Sequence, residues 1–225
     1  MLVCILVVEC VPGSSQSIAD NDLQFWNENT IVVPAIKRTK DGKKSDFVNL
    51  LILQTNRIGG NGFQPIDERI GLGADVIVNK YLTLTPSYLY RASRVLPTIW
   101  IYENRVRFDA TVGYSWKNFG IKNRNRIERR IINSLPDATR YRNRTTVRIP
   151  IKRNDKPRFD VFATMEPFYS VTTKTWPSYE FASGISAHLS EPITAEFFYM
   201  HRGEIQFLPQ TVNAFGINLK IRIGK

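Results

Sequence analysis

Between Glu103 and Trp116 the side chains alternate without a break: Asn104, Val106, Phe108, Ala110, Val112, Tyr114 and Trp116 share one face, and Glu103, Arg105, Arg107, Asp109, Thr111, Gly113 and Ser115 share the other. A period of two is the repeat of an extended strand, whose successive side chains point to opposite sides. A strand this long, mostly apolar on one side and charged on the other, must belong to a sheet whose faces meet two different media.

The pattern returns down the chain. It predicts strands at Asp22–Lys37, Asp46–Arg57, Asp67–Val78, Leu82–Ala92, Tyr102–Trp116, Phe119–Ile131, Thr139–Ile151, Arg158–Val171, Ser178–His188, Ile193–Arg202 and Thr211–Ile223. No linker or low-complexity stretch interrupts the series, so residues 16–225 read as one domain. Closure removes the edges of such a sheet, and the expected fold is an all-β, closed antiparallel barrel of about 10–12 strands. Short connections are expected at 79–81, 117–118 and 189–192, and longer ones at 93–101, 132–138, 172–177 and 203–210. An odd count would leave the chain ends on opposite rims, whereas bacterial membrane barrels usually have even counts. A bend near Asn27–Asn29 that divides the first segment would restore even parity.

Alternation alone does not say which face looks outward. In a soluble barrel Val106, Phe108 and Val112 fill the core; in a membrane barrel they touch lipid and the arginines line the interior. Three features choose lipid. Segments of 11 to 14 residues, at about 3.3 Å each and tilted near 45°, span roughly the apolar height of a bilayer. Aromatics collect at segment ends: Trp116 with Phe119, Trp100 with Tyr102, and Trp176 with Tyr179, as suits the two interfaces. Leu2, Val3, Ile5, Leu6, Val7 and Val8 followed by Pro12, Gly13, Ser14 and Ser15 resemble an export signal, cleaved near residue 15. Cys4 and Cys10 both lie inside that leader, so the mature chain is expected to carry neither a disulfide framework nor a thiolate metal site.

With the apolar face outward, the interior is rich in guanidinium. Arg105, Arg107 and Asp109 face in from the fifth strand, Lys122, Arg124, Arg126, Glu128 and Arg130 from the sixth, and Arg140, Arg142, Arg144 and Arg148 from the seventh. Centring the first hairpin on Lys117 and Asn118 sets Arg107 opposite Glu128 and Asp109 opposite Arg126. Centring the second on Leu135 sets Glu128 opposite Arg142 and Arg126 opposite Arg144. Asp67, Asp75, Glu103, Asp160, Glu166, Glu180 and Glu196 share the inward parity, so a cross-barrel ion network is expected, since a sequestered guanidinium needs a partner or water. The formal net charge is +11, but the basic residues are interleaved with acids along strands. That arrangement favours small anions over nucleic acid as partners.

Several stretches look like one known family: Asp67-Glu68-Arg69-Ile70-Gly71, Asn79-Lys80-Tyr81-Leu82-Thr83-Leu84, Tyr88-Leu89-Tyr90-Arg91, Tyr102-Glu103-Asn104-Arg105, Arg124-Asn125-Arg126-Ile127-Glu128 and Arg140-Tyr141-Arg142-Asn143-Arg144. In order and spacing they resemble the exported barrel proteins grouped as domain of unknown function 2490, from Asp22 to Lys225. The resemblance implies an outer-membrane β-barrel of Gram-negative bacteria and implies no established activity or catalytic residues. One departure is the chain end, where Gly224 and Lys225 follow the alternating Phe215 to Ile223 in place of a terminal aromatic.

Catalytic signals are sparse. His188 and His201 are the only histidines; standing apart, they build no zinc site. Ser186 precedes His188 by two positions, with Glu180 or Glu196 as candidate orienting acids, so a barrel-embedded lipid hydrolase is one alternative. A soluble periplasmic ligand-binding barrel is another. No phosphate loop, dinucleotide fingerprint or nucleophile elbow is present. The reading is a non-enzymatic barrel of the bacterial outer membrane, a narrow pore or structural wall component, with no cofactor or metal. Membrane lipid and, during biogenesis, the barrel-insertion machinery are its expected partners.

Overall fold

The computed structural model describes residues 21–40, 42–60, 64–96, 98–133, 135–153, 156–205 and 209–224. The expected leader, residues 1–15, lies outside the described residues. Eleven strands form among them: β1 (Asn21–Lys40), β2 (Lys43–Gly59), β3 (Gln64–Ile77), β4 (Leu82–Leu96), β5 (Ile99–Ser115), β6 (Gly120–Ile132), β7 (Ala138–Arg153), β8 (Lys156–Ser170), β9 (Thr175–Ser190), β10 (Ile193–Glu204) and β11 (Thr211–Arg222). Each pairs antiparallel with its neighbour in sequence, and the sheet closes into a barrel between β11 and β1.

That closure corrects the even-parity expectation. β1 is continuous through Asn27–Asn29 and pairs in parallel with β11, from Asn21↔Thr211 to Val32↔Arg222. With eleven strands the first and last run the same way, so the seam between them can only be parallel. Pro34, which has no N–H for a ladder, comes two residues beyond the last pair of this seam and begins a register shift against β2.

Burial follows the two-residue period. On β5, Glu103, Arg105, Arg107 and Asp109 are buried, with Arg105 at 2% exposure, whereas Val106, Phe108 and Val112 are exposed, with Val106 at 55%. The outward apolar surface continues around the barrel through Ile70, Leu72, Ile127, Ile149, Ile185, Phe197 and Phe215. Aromatic contacts mark both ends of this band: Tyr90 against Tyr102 near one rim, and Tyr114, Trp116 and Phe119 in sequence near the other.

Two local expectations are corrected. The region 93–101 is largely strand and 175–177 belongs to β9, since β4 runs to Leu96 before β5 starts at Ile99, and β9 begins at Thr175. Register shifts between Arg94 and Leu96 and between Phe168 and Ser170 interrupt the alternation there, which hides these strand ends from a period-two reading. The β6–β7 hairpin is centred one residue earlier than Leu135, so Glu128 pairs with Arg140 and Arg126 with Arg142. Asp137 causes the displacement: its carboxylate accepts the Ile132 N–H at 3.3 Å and pairs with Arg129 at 3.0 Å, drawing the start of β7 back. A register change of two residues preserves parity, so every side chain keeps its face.

Candidate functional site: the ion-paired lumen

The inward residues of the arginine-rich strands do not stand as isolated charges. Asp109 takes two hydrogen bonds from Arg126 Nε and Nη2, both at 2.7 Å, in the fork geometry that suits guanidinium and carboxylate. Glu103 is shared by Arg91 (2.6 Å), Arg105 (2.7 Å) and Arg130 (2.8 Å). Glu128 holds Arg140 at 2.6 Å and Arg105 at 3.6 Å. Glu166, fully buried, gathers Arg124 and Arg142, both at 2.8 Å, and Arg144.

Linked end to end, these pairs form a belt inside the barrel. One arc runs Arg57–Asp67–Arg91–Glu103–Arg105–Glu128–Arg140, from β2 to β7. A second runs Arg124–Glu166–Arg142–Glu180–Arg202–Glu204, reaching β10. Phe168, 1% exposed, joins the arcs: the guanidiniums of Arg140, Arg142 and Arg202 lie 4.9, 4.3 and 5.3 Å from its ring centre. At the far end Arg57 sits 3.3 Å from the centre of the Trp26 ring on β1.

The remaining expected lumen residues are placed less tightly. Arg107 is level with Glu128 in register, yet its Nε donates to Ser87 Oγ at 3.1 Å, and no carboxylate lies within ion-pair distance among the described residues. Arg148 pairs with Glu196, and Asp75 accepts the Thr85 hydroxyl at 2.6 Å. Asp160 lies beside Ser186 in register. Lys122 is exposed on the inner face, as is Lys220. Sequence reasoning missed Glu28, Arg57, Arg69, Arg91 and Arg202. Their parity carries the signal: Glu28 pairs with Thr55 and Arg69 with Arg91, in the same inward rows as Asp67 and Glu103. Glu28 is exposed on the inner face, which marks accessible space beside it; the charges acting on it most strongly are Arg144, Arg57, Arg124 and Arg69.

The alternative hydrolytic pair is not assembled. Ser186 is buried while His188 is exposed and shares its Nδ1 with Thr194 Oγ1 at 3.1 Å; no Ser186–His188 hydrogen bond exists among the described residues. Both candidate orienting acids are engaged elsewhere, Glu180 with Arg142 and Arg202, and Glu196 with Arg148.

A closed sheet with a charged, paired interior and a largely apolar exterior bounded by aromatics is a membrane-spanning β-barrel of the outer-membrane type. The chain belongs to the family described as Protein of unknown function (DUF2490), whose profile matches residues 41–210. No curated protein matches it. Among solved structures it is similar to the NanC porin, at 12% identity and a TM-score of 0.47, over 79% of this chain and 94% of that one. It is also similar to LpxR from Salmonella typhimurium, at 9% identity and a TM-score of 0.47, over 79% and 83% of the two chains. OmpT, an outer membrane protein of Vibrio cholerae in trimer form, matches at 8% identity and a TM-score of 0.42, over 74% of this chain and 58% of that one. These likenesses concern the fold and transfer no activity.

Proposed function

We propose that the protein is an exported, non-enzymatic barrel of the bacterial outer membrane whose lumen is obstructed by ion pairs, so that it acts as a structural component of the wall. The belt of shared carboxylates carries this reading. Buried Glu103, Glu128 and Glu166 each bind guanidiniums from more than one strand, which ties neighbouring strands together and takes up lumen space a solute would need. The leader, residues 1–15, fits delivery across the inner membrane, and the barrel-insertion machinery would then place the mature chain.

A narrow anion-preferring pore is the second reading. It is favoured by exposed Lys122, Lys220 and Glu28 on the inner face, where the lumen admits water and the balance of nearby charge is positive. Planar-bilayer recording of the purified protein separates the two. Electrical silence is expected for the braced barrel; steady anion-selective conductance, reduced in Arg124→Gln, would replace that reading with the pore. A lipid-release assay on His188→Ala addresses the enzymatic alternative: unchanged background is expected, and a loss of hydrolysis would make the protein an enzyme.

A further inference from the structure

The outward face of β6 and β7 breaks the apolar rule. Asn123 and Asn125 on β6 and Asn143 and Thr145 on β7 have outward parity, directly beside exposed Ile121, Ile127 and Val147. Their depth is within the lipid band: Asn125 is level with Ala110 on β5, and Ala110 lies between Tyr102 near one aromatic rim and Tyr114 near the other. Neither water nor lipid headgroups reach that depth, so amides there must find partners in protein.

The cluster meets that need only in part. Asn123 Nδ2 donates to Asn143 Oδ1 at 3.0 Å and to Thr145 Oγ1 at 2.9 Å. Asn143 Nδ2 donates to Asn125 Oδ1 at 2.8 Å and to Asn123 Oδ1 at 3.2 Å, and Tyr141 OH donates to Asn125 Oδ1 at 2.5 Å. Asn125 Nδ2 donates once, to Asn123 Oδ1 at 2.7 Å, which leaves its second N–H and the Thr145 hydroxyl hydrogen without an acceptor among the described residues. A second outward amide cluster, of Asn27, Asn29 and Gln54, is different. Asn27 there donates to the Ile217 carbonyl at 3.0 Å across the parallel seam and is tied to barrel closure.

We propose that the outward face of β6 and β7, centred on Asn125, is the contact between two copies of this chain within the membrane. A primary amide is both donor and acceptor, so the patch is complementary to itself under a two-fold axis, the symmetry of an isologous dimer. Ala110, level with Asn125 on β5, keeps the surface low on that side of the amides. A lone copy leaves those donors facing hydrocarbon; a second copy satisfies them.

The test is oxidative cross-linking in native outer membranes, without detergent, of the full chain carrying Ile127→Cys, an exposed outward position beside Asn125 that leaves the amides in place. Phe215→Cys on the opposite wall and the unaltered chain serve as controls. A covalent homodimer at Ile127→Cys alone is the expected result, lost when Asn125→Leu is added. No homodimer, an equal yield from Phe215→Cys, or an adduct of another mass would overturn the proposal. Heat-dependent gel mobility of each variant reports folding separately. The inference rests on the membrane orientation, and an unaltered chain that fractionates as a soluble protein would show that this orientation, rather than the dimer, had failed.

Discussion

The wall formed by β5, β6 and β7 fills its side of the lumen with guanidinium–carboxylate pairs, whereas the wall running from β9 through β11 to β1, past the Glu180–Arg202–Glu204 pairs, fills much of it by packing. On the second wall Trp26, Met200, Val212 and Ala214 form a buried apolar cluster, with Ala182 and Phe198 against it. Phe198 lies across Gly216, where a Cβ would meet its ring and the Trp26 carbonyl oxygen at 2.7 Å. The charged wall depends on having every partner present, because an orphaned buried charge is costly. The packed wall depends on shape, because its atoms have no alternative partners and little room to shift. One barrel therefore contains two stability regimes, and substitutions on each side should fail for different reasons.

Removing a shared acid should have the largest effect. Glu166→Ala leaves Arg124 without its carboxylate and Arg142 and Arg144 with only their longer contacts to Glu180 and is expected to cost roughly 3–5 kcal/mol, read as lost urea resistance of the barrel folded in lipid vesicles. A charge placed on the outer face comes next. Ile127→Arg, at a position 58% exposed, should cost about 2–4 kcal/mol near the bilayer midplane, although its neighbour Arg126 is tolerated facing inward. Crowding the packed wall is milder. Gly216→Ala should cost about 1–3 kcal/mol through displacement of Phe198. The solvated rim provides the lower limit. Arg129→Ala breaks an exposed pair with Asp137 and should change stability by less than about 1 kcal/mol. If Gly216→Ala proved as damaging as Glu166→Ala, the contrast between the walls would collapse.

The two walls also differ in how far the sequence revealed them. The β5 alternation is uninterrupted, so its faces and its register with β6, Arg107↔Glu128 and Asp109↔Arg126, follow from counting across a short turn. Across the next hairpin the count is two residues off, because Asp137 holds the chain by a side-chain contact that hydrophobic periodicity does not encode. Glu28, Arg91 and Arg202 escaped for another reason. Each lies outside the arginine-rich rows of β5 to β7 and is visible as part of the belt only once the registers bring it beside Thr55, Glu103 and Glu180. The packed wall was the least legible, since small residues such as Ala214 and Gly216 give no periodic signal of what rests on them. The parallel seam follows from strand count alone, and the eleven segments read from the alternation already imply it; the expected bend at Asn27–Asn29, which β1 does not have, is what set that count aside.

The orientation of the faces is tested most directly by spin labels at Phe108 and Lys122 in the barrel reconstituted into lipid. A Phe108 label should collide readily with dissolved oxygen and be shielded from a water-soluble nickel chelate, while a Lys122 label should be shielded from neither. A Phe108 label open to the chelate but closed to oxygen would mean that the apolar face does not meet lipid, and the membrane barrel described here would be wrong.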